Sequence, residues 1–239
     1  LSDGHMNEEN IRVMLNAYQS KIHLTDKELW ALPEMINFCL LESIIEVADE
    51  IIDVIEVKNQ ADKFVKKKVG EEKNLKNITL FLSKMEGKMR ENYSFHSQVI
   101  YLLKNMSYND SLIQEYLDFH FKSSKNKIKA SDVFLEEGKI ESYLETNIRT
   151  LIVSLREMNE LDGEKFFEEF SYLEELLSKD PTKDYEKMDS KSKGMYREVI
   201  VKLSLRYRIK EEKIAKECLT LALEGSDNLY GSKHVGYYL

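Results

Sequence analysis

Five carboxylates recur at helical spacing near residue 50, where they could support metal chemistry. Their 4-3-4-3 spacing places them all on one face of a helix: Glu42, Glu46, Asp49, Asp53 and Glu56. Carboxylates in this arrangement bridge metal ions in helical bundles, where the partner helices also supply Glu-x-x-His pairs. None of the five histidines follows a glutamate by three residues. The spacing therefore favours a solvated helix face over a metal site.

The only concentrated basic run could bind a polyanion. It consists of Lys63, Lys66, Lys67 and Lys68. Nucleic-acid binding would use arginines for base edges or several aromatic rings for stacking, and Phe64 is the only ring in this run. The chain carries a formal charge of −8, which opposes attraction to phosphate backbones. We therefore expect no nucleic-acid partner. A solvated face is favoured, and contact with anionic lipid is left open.

The sequence lacks the common motifs of catalytic and nucleotide-binding sites. The patterns GxxxxGK[ST], GxGxxG and Asp-x-Asp are absent, and no serine or cysteine stands in a nucleophile elbow. The histidines are scattered without metal-ligand spacing: His5, His23, His96, His120 and His234. We therefore predict no catalytic, cofactor-binding or metal-binding residue in this chain.

Polar turn residues and tyrosines are concentrated between two helical segments over Asp180–Arg197. The candidates are Asp180, Tyr185, Asp189, Ser192, Tyr196 and Arg197, and we add Arg156 and Asp162 as candidate domain-contact residues. We expect a connector in which Asp189 or Ser192 caps the following helix. Tyr185 and Tyr196 should be at least half buried, with their hydroxyls hydrogen-bonded. A recognition surface for a partner domain is the alternative.

Composition and periodicity predict that the elements around these residues are all α-helices. The 239 residues include two prolines and nine glycines, whereas strands and hairpins need many turn residues. Thr25 and Glu28 form a capping box, and Pro33 suits the first turn of a following helix. An apolar stripe at spacings of three and four then comprises Phe38, Leu41, Ile45, Ala48, Ile52 and Ile55. Further helices are predicted over about residues 8–20, 71–91, 190–207 and 210–223.

Two similar segments indicate that the helices form antiparallel hairpins. Residues 100–110 and 152–162 both read Ile-x-x-Leu-(Lys/Arg)-x-Met, then three residues, then Asp. Asp110 and Asp162 would each cap the next helix. The predicted fold is an all-α, multi-helix domain of antiparallel helical hairpins, and a solenoid-like array is left open.

No low-complexity linker divides the chain, so one continuous helical domain is expected over residues 6–239. Residues 1–5 resemble an expression-vector remnant, and we interpret the chain as a fragment of a larger protein. No apolar run approaches the roughly 20 residues that span a bilayer. Cys39 and Cys218 lie in apolar segments and are expected to be buried free thiols.

The order and spacing of several short motifs resemble the helical region of cyclic β-1,2-glucan synthases. The likeness begins at Trp30-Ala31-Leu32-Pro33-Glu34-Met35 and continues through Ser154-Leu155-Arg156, Asp162, Phe166-Phe167-Glu168, Ser171 and Glu174. It is completed by Asp180-Pro181, Tyr185, Met188-Asp189, Ser192, Tyr196-Arg197 and the final residues 234–239.

The resemblance implies a place within a large membrane glycosyltransferase. Members of that family join a processive glucosyltransferase, which uses UDP-glucose, to a phosphorylase-like module that trims the β-1,2-glucan. This segment would lie ahead of the transferase domain, on the cytoplasmic side of the bacterial inner membrane, with the catalytic motifs elsewhere. We therefore expect a non-catalytic scaffold or regulatory module that contacts other domains of its parent enzyme. Contact with glucan is left open, and an independent helical adaptor for a protein partner is the alternative.

Overall fold

The computed structural model describes residues 4–71, 92–121, 128–225 and 231–239, in which helices are joined by turns and no strand occurs. The helices are α1 (Glu8–Gln19), α2 (Asp26–Glu71), α3 (Tyr93–Asn105), α4 (Asp110–His120), α5 (Ala130–Asn159), α6 (Gly163–Phe170), α7 (Tyr172–Leu177), α8 (Ser190–Tyr207), α9 (Glu211–Leu223) and a 3-10 helix over Val235–Tyr237. The all-α prediction is confirmed. The helix predicted over residues 71–91 lies outside the described residues beyond Glu71.

The long helix α2 begins at the predicted capping box. The backbone N–H of Thr25 donates to Glu28 Oε2 at 2.8 Å, and the N–H of Glu28 donates to Thr25 Oγ1 at 3.4 Å. Pro33 does not start a helix as predicted but lies inside α2. The helix already begins at Asp26, where the capping box pairs the N–H groups of Thr25 and Glu28. Pro33 therefore removes only one backbone hydrogen bond, the one that an N–H at this position would donate to the Leu29 carbonyl.

The chain divides into two compact units. Unit 1 comprises Leu1–Leu40 and Ser154–Leu239, and unit 2 comprises Leu41–Val153. Helices α2 and α5 contribute residues to both units. The organisation of residues 6–239 as one continuous domain stays a prediction.

The core of unit 2 is built around α3. Phe95, Val99 and Leu103 are fully buried and pack with apolar residues of α2 and α4. Nδ1 of the buried His96 lies 2.6 Å from the hydroxyl of Tyr116, and burial raises the pKa of that phenol well above its usual value.

The exposed side of α2 in unit 2 carries aliphatic side chains as well as the predicted carboxylates. The five carboxylates predicted to form a solvated face are all exposed. Four members of the predicted apolar stripe within unit 2 are also about half exposed: Leu41, Ile45, Ile52 and Ile55. A neighbouring row is more deeply buried, because Ile44, Val47, Ile51 and Val54 are all less exposed. Periodicity therefore predicts the helix correctly, but α2 carries two apolar rows and only one of them is packed.

Two further expectations need correction. Asn109, not Asp110, is the N-cap of α4, because Asn109 has an extended backbone and its side chain accepts from the N–H of Leu112. Cys39 is exposed on α2, whereas Cys218 is buried as expected, and burial raises the pKa of its thiol. Asp162 caps α6 as predicted by accepting from the N–H of Lys165.

The structure also bears on membrane spans and metal ions within the ranges it describes. No helix there is long and apolar enough to cross a bilayer. No group of three or more His, Cys, Asp or Glu side chains in those ranges could hold a metal ion.

Candidate functional site

Arg197 of α8 joins two acidic helix ends in the interior of unit 1. Its Nη1 donates to Glu174 Oε2 of α7 at 2.6 Å, and its Nε lies 3.7 Å from Asp26 Oδ2 at the start of α2. The guanidinium carbon lies 4.8 Å from the centre of the buried Phe167 ring of α6. Arg197 is itself buried, so these contacts replace nearly all of its water. Four helices thus meet at one guanidinium.

Glu174 is the acceptor at the centre of this cluster. Besides Arg197, it accepts a hydrogen bond of 2.8 Å from the hydroxyl of the fully buried Tyr185. Its other oxygen, Oε1, lies 2.7 Å from Lys193 Nζ. Two carboxylates, Asp26 and Glu174, therefore face two cations, Arg197 and Lys193. A third carboxylate lies near the cluster, because burial and the charge of Asp26 raise the pKa of Glu211.

Ser171 connects the start of α7 to the start of α2. It is the N-cap of α7, since its Oγ accepts from the N–H of Glu174 at 3.1 Å. The same hydroxyl donates to Asp26 Oδ1 at 2.8 Å. A single serine side chain therefore links the first turns of both helices.

Burial dominates the electrostatics of the cluster. It raises the pKa of Asp26, and the charge of Glu174 raises it further, while the Ser171 hydrogen bond and Arg197 act in the opposite direction. Burial and the charge of Glu174 also hold the pKa of Tyr185 far above its usual value. The Tyr185 hydroxyl therefore stays protonated and remains a donor to Glu174.

A second polar network holds residues 231–239 against the connector. Asp180 is buried, and its Oδ1 accepts from the N–H of Val235 at 2.9 Å. Its Oδ2 lies 2.8 Å from His234 Nδ1 and accepts from the hydroxyl of Thr182. Burial tends to raise the pKa of Asp180, but the hydrogen bonds from Thr182, His234 and Val235 outweigh it and lower the pKa. His234 Nε2 lies 3.0 Å from the Tyr196 hydroxyl, which completes the network.

The structure brings most of the predicted residues together. Tyr185 and Arg197 belong to the ionic cluster, and Asp180 and Tyr196 belong to the second network. Asp189 is the N-cap of α8, and the Ser192 N–H and hydroxyl both donate to it. Both tyrosines are more than half buried with paired hydroxyls, as expected. The connector therefore has the predicted internal anchors.

Two predicted residues lie apart from both networks. Arg156 and Asp162 are exposed and pair with their own helical neighbours, Glu160 and Lys165. Any contact they make with another domain stays a prediction.

Sequence reasoning missed six side chains of these networks as site residues: Asp26, Ser171, Glu174, Thr182, Lys193 and His234. A signal was present for Glu174, since Ser171-Tyr172-Leu173-Glu174 is a capping-box pattern. The pattern predicts the bond from the Glu174 N–H to Ser171. It cannot show that the glutamate side chain turns to Arg197, because that partner lies 23 residues away.

A shallow groove opens beside Arg197 in unit 1. Its volume is about 470 Å³, and Trp30, Phe167 and Arg197 contribute to its wall together with acidic and basic side chains. The half-exposed Trp30 stacks on Phe167 with ring centroids 4.6 Å apart. Asp26 also lines this groove; its Oδ1 accepts from Ser171, and its buried Oδ2 has no hydrogen-bond partner and lies 3.7 Å from Arg197 Nε. Glu174 is buried and pairs with Arg197 and Lys193.

The described helices define an all-α protein with two internal polar networks in unit 1. No family model matches the chain. Among curated proteins it is similar to the cyclic β-(1,2)-glucan synthase NdvB of Rhizobium meliloti (strain 1021), with 23% identity over 216 residues. The aligned region covers 90% of this chain and 7% of NdvB, so the chain spans a small part of that protein's length. The similarity is distant, and it agrees with the resemblance read from the motifs.

Proposed function

We propose that this chain is a non-catalytic scaffold or regulatory module of a glycosyltransferase that makes β-1,2-glucan from UDP-glucose, as cyclic β-1,2-glucan synthases do. The carrying observation is that seven residues of the resemblance between 171 and 239 take part in the two internal polar networks. Ser171, Glu174, Tyr185 and Arg197 share one cluster, and Asp180, Tyr196 and His234 share the other. Shared motifs that fold inward support a shared architecture rather than a shared reaction.

Charge pairing supports the non-catalytic part of the proposal. An acid–base pair needs carboxylates in an accessible cleft with separated pKa values. Here Glu174 is saturated by Arg197, Lys193 and Tyr185. The parent enzyme would supply the transferase site, and this module would contact its other domains on the cytoplasmic side of the bacterial inner membrane.

The first test concerns the chain alone. Incubation with radiolabelled UDP-glucose and Mg²⁺ or Mn²⁺ should give no labelled product. Turnover that follows the protein through gel filtration would contradict the proposal.

The second test concerns the longer protein. Arg197→Met should reduce β-1,2-glucan synthesis by membranes that contain the full-length protein, at equal protein amount. Arg149→Met is the matched control, because Arg149 is exposed and pairs with Glu145 on its own helix, so synthesis should be unchanged. If the Arg197→Met enzyme synthesises as much glucan as the wild type although unit 1 is shown to be destabilised, the proposed scaffold role is contradicted.

An independent helical adaptor is the second candidate, and the half-exposed aliphatic row on α2 is the observation that favours it. The gene sequence beyond Leu239 separates the two. Membrane spans followed by a transferase domain support the module, and an immediate stop codon supports the adaptor.

A further inference from the structure

Two parallel rows of side chains cover the exposed side of α2 in unit 2. The first is aliphatic and is called here the α2 stripe: Leu41, Ile45, Ala48, Ile52 and Ile55. Its four large members are 48, 62, 51 and 52% exposed in that order. The second is the acidic row of Glu42, Glu46, Asp49, Asp53 and Glu56, all exposed. Both rows follow a 4-3-4-3 spacing, so they run side by side along four turns of the helix.

The spacing of the α2 stripe identifies the shape of its occupant. Aliphatic residues at alternating spacings of three and four form the seam of a coiled coil, in which a second helix inserts its own side chains between them. Single exposed aliphatic residues are ordinary, but a continuous row of this length is typical of an interaction surface. The geometry therefore fits a helix lying along α2.

The acidic row identifies the charge of that occupant. Residues that flank a helical seam meet charged side chains of the partner helix, and opposite charges there determine partner choice. An anionic lipid surface would meet five exposed carboxylates beside the α2 stripe and be repelled. A second copy packed antiparallel would bring two acidic rows together. A helix with lysines or arginines along one flank satisfies both rows at once.

We propose that the α2 stripe binds a basic amphipathic helix of a neighbouring domain, with heptad-spaced aliphatic residues against the stripe and lysines or arginines against the acidic row. The apolar and basic character of the bound helix is inferred from the two rows of α2 alone. Its source in a neighbouring domain rests on the proposed function.

The test uses the whole 239-residue chain and a synthetic helix as the probe. The peptide has about three heptads, with leucine at positions a and d and lysine at e and g. A control peptide carries glutamate in place of each lysine. In fluorescence anisotropy, the lysine peptide should bind at least about tenfold more tightly than the glutamate peptide.

Variants of the chain locate the binding. Ile45→Ser with Ile52→Ser should weaken binding of the lysine peptide at least about tenfold. Leu135→Ser is the matched control, because Leu135 is an equally exposed aliphatic residue on α5 of the same unit, and it should bind like the wild type. Glu42→Gln with Asp49→Asn, at the members of the acidic row that flank the stripe, should weaken binding several-fold and reduce its dependence on salt. These changes are on an exposed helix face, so helix content by circular dichroism should be unchanged.

Three outcomes would overturn the proposal. They are equal binding of the two peptides, dimerisation of the chain that Ile45→Ser with Ile52→Ser abolishes, and stripe-dependent binding to phosphatidylglycerol vesicles. None of them depends on the glucan-synthesis assay. Conversely, if Arg197→Met leaves glucan synthesis unchanged, a neighbouring domain is no longer supported as the source of the bound helix. The peptide-binding result would still stand.

Discussion

Arg197 is the residue on which the ionic cluster depends most, since its guanidinium contacts the carboxylates of both Glu174 and Asp26. Arg197→Met keeps most of the side-chain volume but leaves Asp26 with only the Ser171 hydrogen bond. Breaking a buried ion pair on one side typically costs about 3–5 kcal/mol. We expect a loss of that size in the free energy of unfolding measured with urea.

Arg156→Met provides the control for that measurement. The Arg156–Glu160 pair is four residues apart on one helix and mostly exposed. Pairs of this kind contribute about 0–1 kcal/mol. Equal losses in the two variants would show that the buried cluster has no special energetic role.

Asp180 gives a prediction about pH. Its pKa in the folded protein is lowered because the hydrogen bonds from Thr182, His234 and Val235 outweigh burial. A carboxyl whose folded pKa lies below its unfolded value, about 3.9, stabilises the fold above that pH and loses the contribution as pH falls through the folded pKa. The difference in unfolding free energy between wild type and Asp180→Asn should therefore be largest near neutral pH and shrink below about pH 4.

The measurement is chemical denaturation at several pH values between about 3 and 7, within the range over which carboxylates titrate. Asp162→Asn is the comparison, because the pKa of Asp162 is also lowered but the group is exposed. A difference for Asp180→Asn that stays constant across the range would contradict the assigned role of its ionised form.

At this scale the sequence predicts residue types better than residue partners. Tyr185, Tyr196 and Arg197 were identified because tyrosines and turn residues cluster in one short segment. Asp26 was not identified as a site residue, since its partner Ser171 lies 145 residues away and only folding brings them together. Capping bonds could be predicted because both partners are three residues apart.

At the scale of elements, two glycines provide opposite predictions. Gly138 lies in α5 with open space where a Cβ would be, and Gly→Ala in a helix interior typically stabilises by about 0.5–1 kcal/mol. Gly236 lies in the 3-10 helix, where a Cβ would overlap the ring of Tyr196. Gly138→Ala should therefore raise the melting temperature, and Gly236→Ala should lower it.

A double variant isolates the reason for the second effect. If Gly236→Ala acts through Tyr196, then its cost should largely disappear in a Tyr196→Ala background, as a double-mutant cycle would show. Additive effects would mean that Gly236 is needed for another reason, and that residues 231–239 are not held by close packing on Tyr196.

Helix positions were well predicted, whereas the faces that pack were not. The helices over Ser190–Tyr207 and Glu211–Leu223 match their predicted ranges within one residue, because caps and breakers are local signals. The periodicity of α2 does not identify the packed face, because Leu41, Ile45, Ile52 and Ile55 form as regular a row as the more deeply buried Ile44, Val47, Ile51 and Val54. When one helix has two apolar rows, the sequence alone does not show which row packs against the rest of the protein.

At the scale of the whole molecule, the expected single domain can be tested with one tryptophan. Trp30 is the chain's only tryptophan, and it stacks on the buried Phe167 within unit 1. Its fluorescence therefore reports the unfolding of unit 1, while circular dichroism reports all helices. Leu103 is fully buried in the core of unit 2. Leu103→Ala should cost about 2–5 kcal/mol through lost burial and a cavity.

Helices α2 and α5 contribute to both units, and helix formation is cooperative along a continuous segment. We therefore expect Leu103→Ala to lower the urea midpoint of Trp30 fluorescence as much as that of circular dichroism. Tyr101→Ala, at an exposed neighbouring position, should move neither. If Leu103→Ala shifts only the circular dichroism and Trp30 unfolds as in the wild type, then the units unfold independently. The chain would then consist of two domains that share helices, and the prediction of one continuous domain would be wrong.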